Sequence, residues 1–373
     1  MIDQISERLP QLPYPVYFVH KNKKVWEDWV ENSSVPDVED VVDRFRSGSD
    51  SYSINGYIAL KKMGLDVHLT SQFVPGKICV TTYEDLAIKD FPFNSYVVAC
   101  RTDRGRPEIC EQRIVQNKLN IIDETDHYLT HWPQPGILPR DPERGSRVEN
   151  VVYLGRECNL AAPFREPAFA KAVQEFGINF IVRSPDLEEA GYKLWSDYRD
   201  VDVVFAARSM TAYNLSIKPP SKLVNTWLAG SAAILGPEPA YQQLWQSELD
   251  YMEVSTVAEA IAAIMRLKND PALYSSMLEN GAQRAKSFQL SSIVKQWRDL
   301  LATDIAQGYE RWCQQSLLFK SLGRPLQFGY RALKHKQEKK YFINHIFNGE
   351  KMFSSSENIV QGNPNSLTEP SVR

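Results

Sequence analysis

The sequence predicts an α/β protein of two doubly wound, Rossmann-like domains facing a cleft, with helices at its C-terminal end. Three observations carry that prediction. The chain has 373 residues, too many for one ordinary core and enough for two. Short runs rich in Val, Ile, Phe and Tyr alternate with longer segments of helical spacing, the pattern of a parallel sheet. Between His131 and Asn150 the stretch HWPQPGILPRDPERGSRVEN crowds prolines, glycines and charges together, which suits a hinge.

In a first domain at 1–140, strands are expected at 16–19, 66–70, 77–81, 95–101 and 113–116, with helices over 53–63 and 83–88. A second domain at 146–300 repeats the rhythm. Strands are expected at 151–154, 179–182, 201–206 and 232–235, and helices over 167–175, 187–194 and 223–229. From Val257 the pattern turns helical, with Ala258, Ile261, Ile264 and Leu267 at three-residue spacing, and a long helical segment follows over 291–318. Residues 301–348 are expected to form a helical extension that packs back on the first domain. The polar, aperiodic 349–373 reads as a disordered tail.

Composition removes several classes of function. A formal net charge of −3 and a pI near 6.1 give no basic field of the kind nucleic-acid binders carry. The cysteines, Cys79, Cys100, Cys110, Cys158 and Cys313, are odd in number and scattered without a C-x-x-C pair, so neither a disulfide framework nor a zinc site is suggested. Asp3, Glu7 and Arg8 interrupt the start of the chain, and no run approaches the roughly 20 apolar residues that cross a bilayer. The expectation is a cytoplasmic protein, soluble or lying on the inner membrane surface. No P-loop, dinucleotide, serine-hydrolase or zinc-protease motif is present in the sequence. Asp200-Val201-Asp202 mimics a metal-binding D-x-D pair but precedes its strand, at the wrong edge of a sheet.

The richest segment is 218–241, KPPSKLVNTWLAGSAAILGPEPAY. Pro219 and Pro220 forbid helix upstream, Ser221 suits an N-cap, and Gly230 suits the helix stop. A helix start flanked by Lys218 and Lys222 is a diphosphate site, because free N–H groups and the dipole favour an anion and the ammonium groups add charge a metal would otherwise supply. The strand that follows delivers Glu238 to its carboxyl end, where it could take a sugar or ribose hydroxyl. Arg183 and Arg208 close candidate strands at the same edge, and one of them is expected to serve the donor. For each charge the alternative is a solvated or locally paired side chain.

This segment resembles the donor-binding region of group-1 (GT4-like) glycosyltransferases, in which a P-S-K-L stretch, a short helix, A-G and a strand into a P-E-like turn recur. The resemblance is strongest over about 151–300. It implies the GT-B architecture, a nucleotide-sugar donor, a glycan or lipid-linked acceptor, no cofactor beyond the donor, and a role in polysaccharide biosynthesis. Gly155 and Arg156 are similar to the G-R pair that meets the donor phosphates in these enzymes. Many retaining members carry two glutamates eight positions apart, where this chain has Ile217 and Asn225. Asn225 can hydrogen-bond a hydroxyl but cannot stabilise positive charge as a carboxylate would. A looser likeness to fucosyltransferases implies a guanine nucleotide instead.

On the acceptor side, His20 ends the first strand and is the candidate base for an acceptor hydroxyl, since imidazole titrates near neutrality; a structural histidine is the alternative. His131 beside Trp132 could line the cleft or pack. The loop at 51–56 offers backbone N–H groups to an anion or is a plain helix start. Residues 319–347 interleave Lys320, Arg324, Arg331, Lys334, Lys336, Lys339 and Lys340 with apolar side chains, which fits either peripheral contact with anionic lipid or a terminal helix with a solvated cationic face.

Overall fold

A computed structural model describes residues 9–21, 26, 35–45, 47–184 and 194–351. The helix expected over 187–194 lies outside these residues except for Leu194, as does the expected tail beyond Lys351. The first sheet holds β1 (Val16–Val19), β2 (Val67–Thr70), β3 (Ile78–Thr82), β4 (Tyr96–Cys100), β5 (Gln112–Val115) and β6 (Asp126–Tyr128) in the order β2-β1-β3-β4-β5-β6. All neighbours pair in parallel. Every residue of β3, β4 and β5 is buried, which is why β4 reads as a continuous apolar run rather than an alternating one.

The second sheet holds β7 (Asn150–Leu154), β8 (Asn179–Arg183), β9 (Val203–Ala206), β10 (Ala232–Leu235) and β11 (Met252–Glu253) in the order β11-β10-β9-β7-β8, again all parallel. Numbered from its own first strand, each sheet therefore runs 2-1-3-4-5, with the first sheet adding a sixth strand. Helix α1 (Asn55–Lys62) packs on the first sheet; α2 (Pro167–Gln174), α3 (Ala212–Ile217), α4 (Ser221–Ala229), α5 (Val257–Asn269) and α6 (Pro271–Ala285) belong to the second half. Each sheet anchors its own apolar core, one built on Phe18, Val80 and Val98, the other on Val151, Phe205 and Ile234.

The chain returns to the first domain at α7 (Leu290–Leu300), ten residues before the boundary expected at 300. Ile293, Val294 and Trp297 of α7 sit in the first core, and Trp297 stacks on Trp132 with ring centroids 5.2 Å apart. Helix α8 (Ala306–Cys313) adds Trp312 to that core. Helix α9 (Arg324–Phe347) lays Phe328 and Ala332 against Val97, Ala99 and Ile109. Its far end reaches the second domain, where Tyr341 and His345 meet Tyr213 and the Thr211 hydroxyl donates to the His345 carbonyl at 2.8 Å.

Three local expectations are corrected. The 83–88 segment is a turn, with a single 3-10 turn at Ile88–Asp90, because the Asp90 carboxylate accepts the Ala87 N–H and so competes with helix. The 51–56 loop is wound: a wide π turn at Asp50–Ile54 runs directly into α1. Pro220, not Ser221, is the N-cap of α4, and no side chain caps that helix.

Candidate active site

Ligand crevices in open parallel sheets form outside the carboxyl ends of the strands, where the strand order reverses. Each sheet here has one such point, between β1 and β3 and between β7 and β9. The first is filled by its own side chains. His20, at the end of β1, is 2% exposed and sits between two carboxylates, Nδ1 2.9 Å from Asp85 and Nε2 3.0 Å from Asp50. The Ser49 hydroxyl donates to Asp85 at 2.6 Å. Burial alone would lower the histidine, but the hydrogen bonds to Asp50 and Asp85 outweigh it and push its pKa up to about 9.

The base role expected for His20 is therefore corrected. The side chain does not line the interdomain cavity, both ring nitrogens are engaged, and the imidazolium holds its proton at neutral pH. It locks β1 to the turn after β3 and to the approach to α1.

The second crevice is open. A cavity of about 350 Å³ lies between the domains, lined from the second by Gly155, Arg156, Arg208, Lys218, Ser221, Lys222 and Asn225. From the first domain come Tyr52, Thr102, Asp103, His131 and Trp132. Lys222, in the first turn of α4, is half-buried at the cavity wall; its ammonium donates to the Leu154 carbonyl and lies 5.1 Å from the centre of the Tyr153 ring. Burial, and then the nearby Arg208 charge, push its pKa down to about 7. A Cβ at Gly155 would stand 3.0 Å from the Lys222 Nζ, so glycine leaves the room in which this ammonium fits. The first-turn N–H groups of α4 have no intrahelical acceptor and no capping side chain.

Arg208 enters the same cavity, held there by Glu238: Nε donates to Oε1 at 2.6 Å and Nη2 donates to Oε2. Burial opposes the charge on Arg208, but the Glu238 carboxylate raises its pKa above the ordinary arginine value. The hydroxyl-binding role expected for Glu238 is corrected by this geometry, since the carboxylate is 1% exposed and spent on Arg208. Arg183 is also removed from the donor set. It donates to the Asp197 carbonyl at 2.7 Å and pairs with Asp200, and does not line the cavity. Asp202 accepts from Arg140 and Arg144, so both acids of the D-x-D mimic serve arginines.

Asn225 lines the cavity, but its side-chain oxygen accepts the Gln134 N–H of the linker at 3.3 Å. Arg156 has no ion-pair partner among the described residues and stands at the cavity wall. Lys218 bridges the cleft, its ammonium 2.5 Å from Asp103. Burial works against the Asp103 carboxylate, but Lys218 outweighs it and holds the pKa below the ordinary value.

Sequence reasoning missed Asp103 and Thr102, which belong to no motif. Thr102 has φ +57°, a conformation that costs a β-branched residue about 1–3 kcal/mol and concentrates at functional sites. His131, left open between lining and packing, lines the cavity. Burial pushes its pKa down to about 4, and neither ring nitrogen has a hydrogen-bond partner among the described residues. A neutral imidazole thus shares the cavity with Arg156, Arg208, Lys218 and Lys222 of the second domain.

No family model matches the chain, and no curated protein matches it. Solved structures do. Sucrose-phosphate synthase from Thermosynechococcus elongatus matches 79% of this chain and 100% of its own length, with a TM-score of 0.51 at 12% identity. The Anabaena protein HepE, solved in complex with UDP, matches over 78% of this chain and 100% of its own, at 0.48 and 11%. TarM matches over 67% of this chain at 0.43 and 9%, and the chain spans 58% of TarM's length. Two parallel sheets of matching order across a cleft, together with the synthase likeness, give this chain the GT-B fold.

Proposed function

We propose that this protein is a glycosyltransferase of the hexosyl type, moving a sugar from a nucleotide-sugar donor to a hydroxyl of a glycan or lipid-linked acceptor without a metal or other cofactor. One observation carries the reading: Lys222, Lys218, Arg208 and Arg156 converge on the uncapped head of α4, in the open crevice of the second sheet. A diphosphate there would accept hydrogen bonds from the first-turn N–H groups and have its charge neutralised as the glycosyl bond breaks. Stabilising the leaving group in this way is the main catalytic term. Neutral His131 and ionised Asp103 face the donor site from the first domain, where an acceptor hydroxyl would sit. Group-1 membership, work in polysaccharide biosynthesis, and a position at the cytoplasmic face of the inner membrane, touched through 319–347, form part of the same proposal. No helix among the described residues is long and apolar enough to cross a membrane.

Titration with UDP, GDP, ADP and CMP by calorimetry tests the donor site. Lys222→Ala is expected to abolish most of the affinity for the nucleotide that binds; unchanged affinity overturns the assignment. A second reading is a nucleotide-sugar-binding regulator derived from such an enzyme. It is favoured by Ile217, which is apolar and 1% exposed where a catalytic glutamate stands in many relatives of the group. Release of nucleoside diphosphate only when donor and acceptor are both present separates transfer from pure binding, and donor turnover without acceptor would indicate an epimerase.

A further inference from the structure

Among the described residues, the exposed large apolar side chains are concentrated at the turn before α9 and on α9 itself. Leu318, Leu322, Leu326, Tyr330 and Leu333 follow one another at spacings of four, four, four and three residues, which puts them on one side of a continuous helical rod. Each is more than half exposed, Leu326 at 75%. At 1.5 Å per residue the stripe is about 22 Å long. The rod cannot roll to hide it. Phe328, Ala332 and Phe342 on the opposite side are buried, Arg331 makes a bidentate pair with Glu111 at 2.6 and 3.0 Å, and Arg324 lies 3.4 Å over the Trp312 ring.

Charge tells what the stripe meets. Lys334, Lys336, Lys339 and Lys340 are exposed and have no acid partner among the described residues, and Glu338 is the sole acid within α9. At 100° per residue Lys334 and Lys336 stand about 80° to either side of Leu326. An apolar strip bordered by ammonium groups on both sides matches the boundary of an anionic bilayer, acyl chains beneath the strip and headgroup phosphates beside it. Patches of this kind mark interaction surfaces.

We propose that the outer face of α9 and the turn before it docks on anionic phospholipid, with Leu322, Leu326, Tyr330 and Leu333 inserted and Lys334 and Lys336 on headgroup phosphates. This deepens the membrane contact proposed above and rests on it. The test is flotation of the full chain with phosphatidylcholine vesicles, with and without phosphatidylglycerol. Binding is expected only to the anionic vesicles and is weakened by salt. Leu326→Glu with Leu333→Glu lowers the bound fraction at least about tenfold, and Lys334→Glu with Lys336→Glu does the same while leaving the apolar strip intact. Circular dichroism and nucleotide titration without vesicles check that both variants fold, and they report on the donor site independently of lipid. Equal binding to neutral vesicles, no flotation, or flotation indifferent to both variants overturns the proposal. So does a dimer, seen by sedimentation, that Leu326→Glu dissolves, since a second copy would then cover the strip.

Discussion

Lys222 is the residue on which the site turns. With its pKa pushed down to about 7 by burial, it is partly neutral in the empty cleft at physiological pH. A diphosphate bound there, as proposed, would restore its charge, so nucleotide binding is expected to take up a proton and affinity to fall as pH rises above about 7. Calorimetry in buffers of differing ionisation heat reads that uptake directly. Lys222→Ala removes charge-assisted hydrogen bonds of about 1.5–3 kcal/mol, roughly a 10- to 100-fold loss of affinity. His20 shows the opposite linkage. Its pKa, raised from 6.5 to about 9 in the fold, gives stability that is complete below about 6.5 and lost as pH climbs through about 9. Lys222 binds its proton more weakly folded than unfolded, so between about 7 and 10.5 its contribution rises with pH. The two trends oppose each other. Thermal melts across that range should therefore fall more steeply for Lys222→Met than for the parent. His20→Ala takes the imidazolium from between the buried Asp50 and Asp85 carboxylates and should lower unfolding free energy by about 3–5 kcal/mol, measured by denaturant titration, with nucleotide affinity unchanged. The edge position of His20 was legible from its strand. That Asp50 and Asp85 would close around it was not, because those contacts join residues 30 and 65 positions away.

At the scale of elements, the strands with Val- and Ile-rich runs were readable because burial on both faces demands them. β6 escaped because Asp126, His127 and Tyr128 form a three-residue polar edge with no apolar pattern. α3 escaped because it is only six residues long, capped by the Thr211 side chain. The start of α4, which borders the cavity, was readable as a helix start from its prolines. The partners that hold Arg208 in and Arg183 out are tertiary, and no spacing announces them. Packing of α8 on the first sheet depends on Gly308. A Cβ there would lie 2.0 Å from the Tyr96 hydroxyl and 2.2 Å from the Gln112 amide, two groups already hydrogen-bonded at 2.7 Å. Gly308→Ala is expected to destabilise by about 1–3 kcal/mol through overpacking, seen as a lower denaturation midpoint at unchanged slope.

In the whole molecule, one sheet order has two outcomes: the first switch point is plugged by a histidine and two aspartates, and the second opens onto the cavity between the lobes. The lobes meet across the cleft through Asp103 and Lys218, and through Asn117, whose amide donates to the Lys218 carbonyl at 3.2 Å. Asp103→Asn frees Lys218 for phosphate and should strengthen nucleoside diphosphate binding up to about fivefold, the equivalent of ~1 kcal/mol for a partly exposed pair. Calorimetry at low salt checks it. The two passages of the chain between lobes run close together, and the stacked indoles of Trp132 and Trp297 lie there at 5.2 Å with planes 20° apart. Trp132 also borders the cavity. Two chromophores so placed couple their electronic transitions, so the near-ultraviolet dichroism of the unlabelled protein reports on the packing of the first core where it borders the cleft.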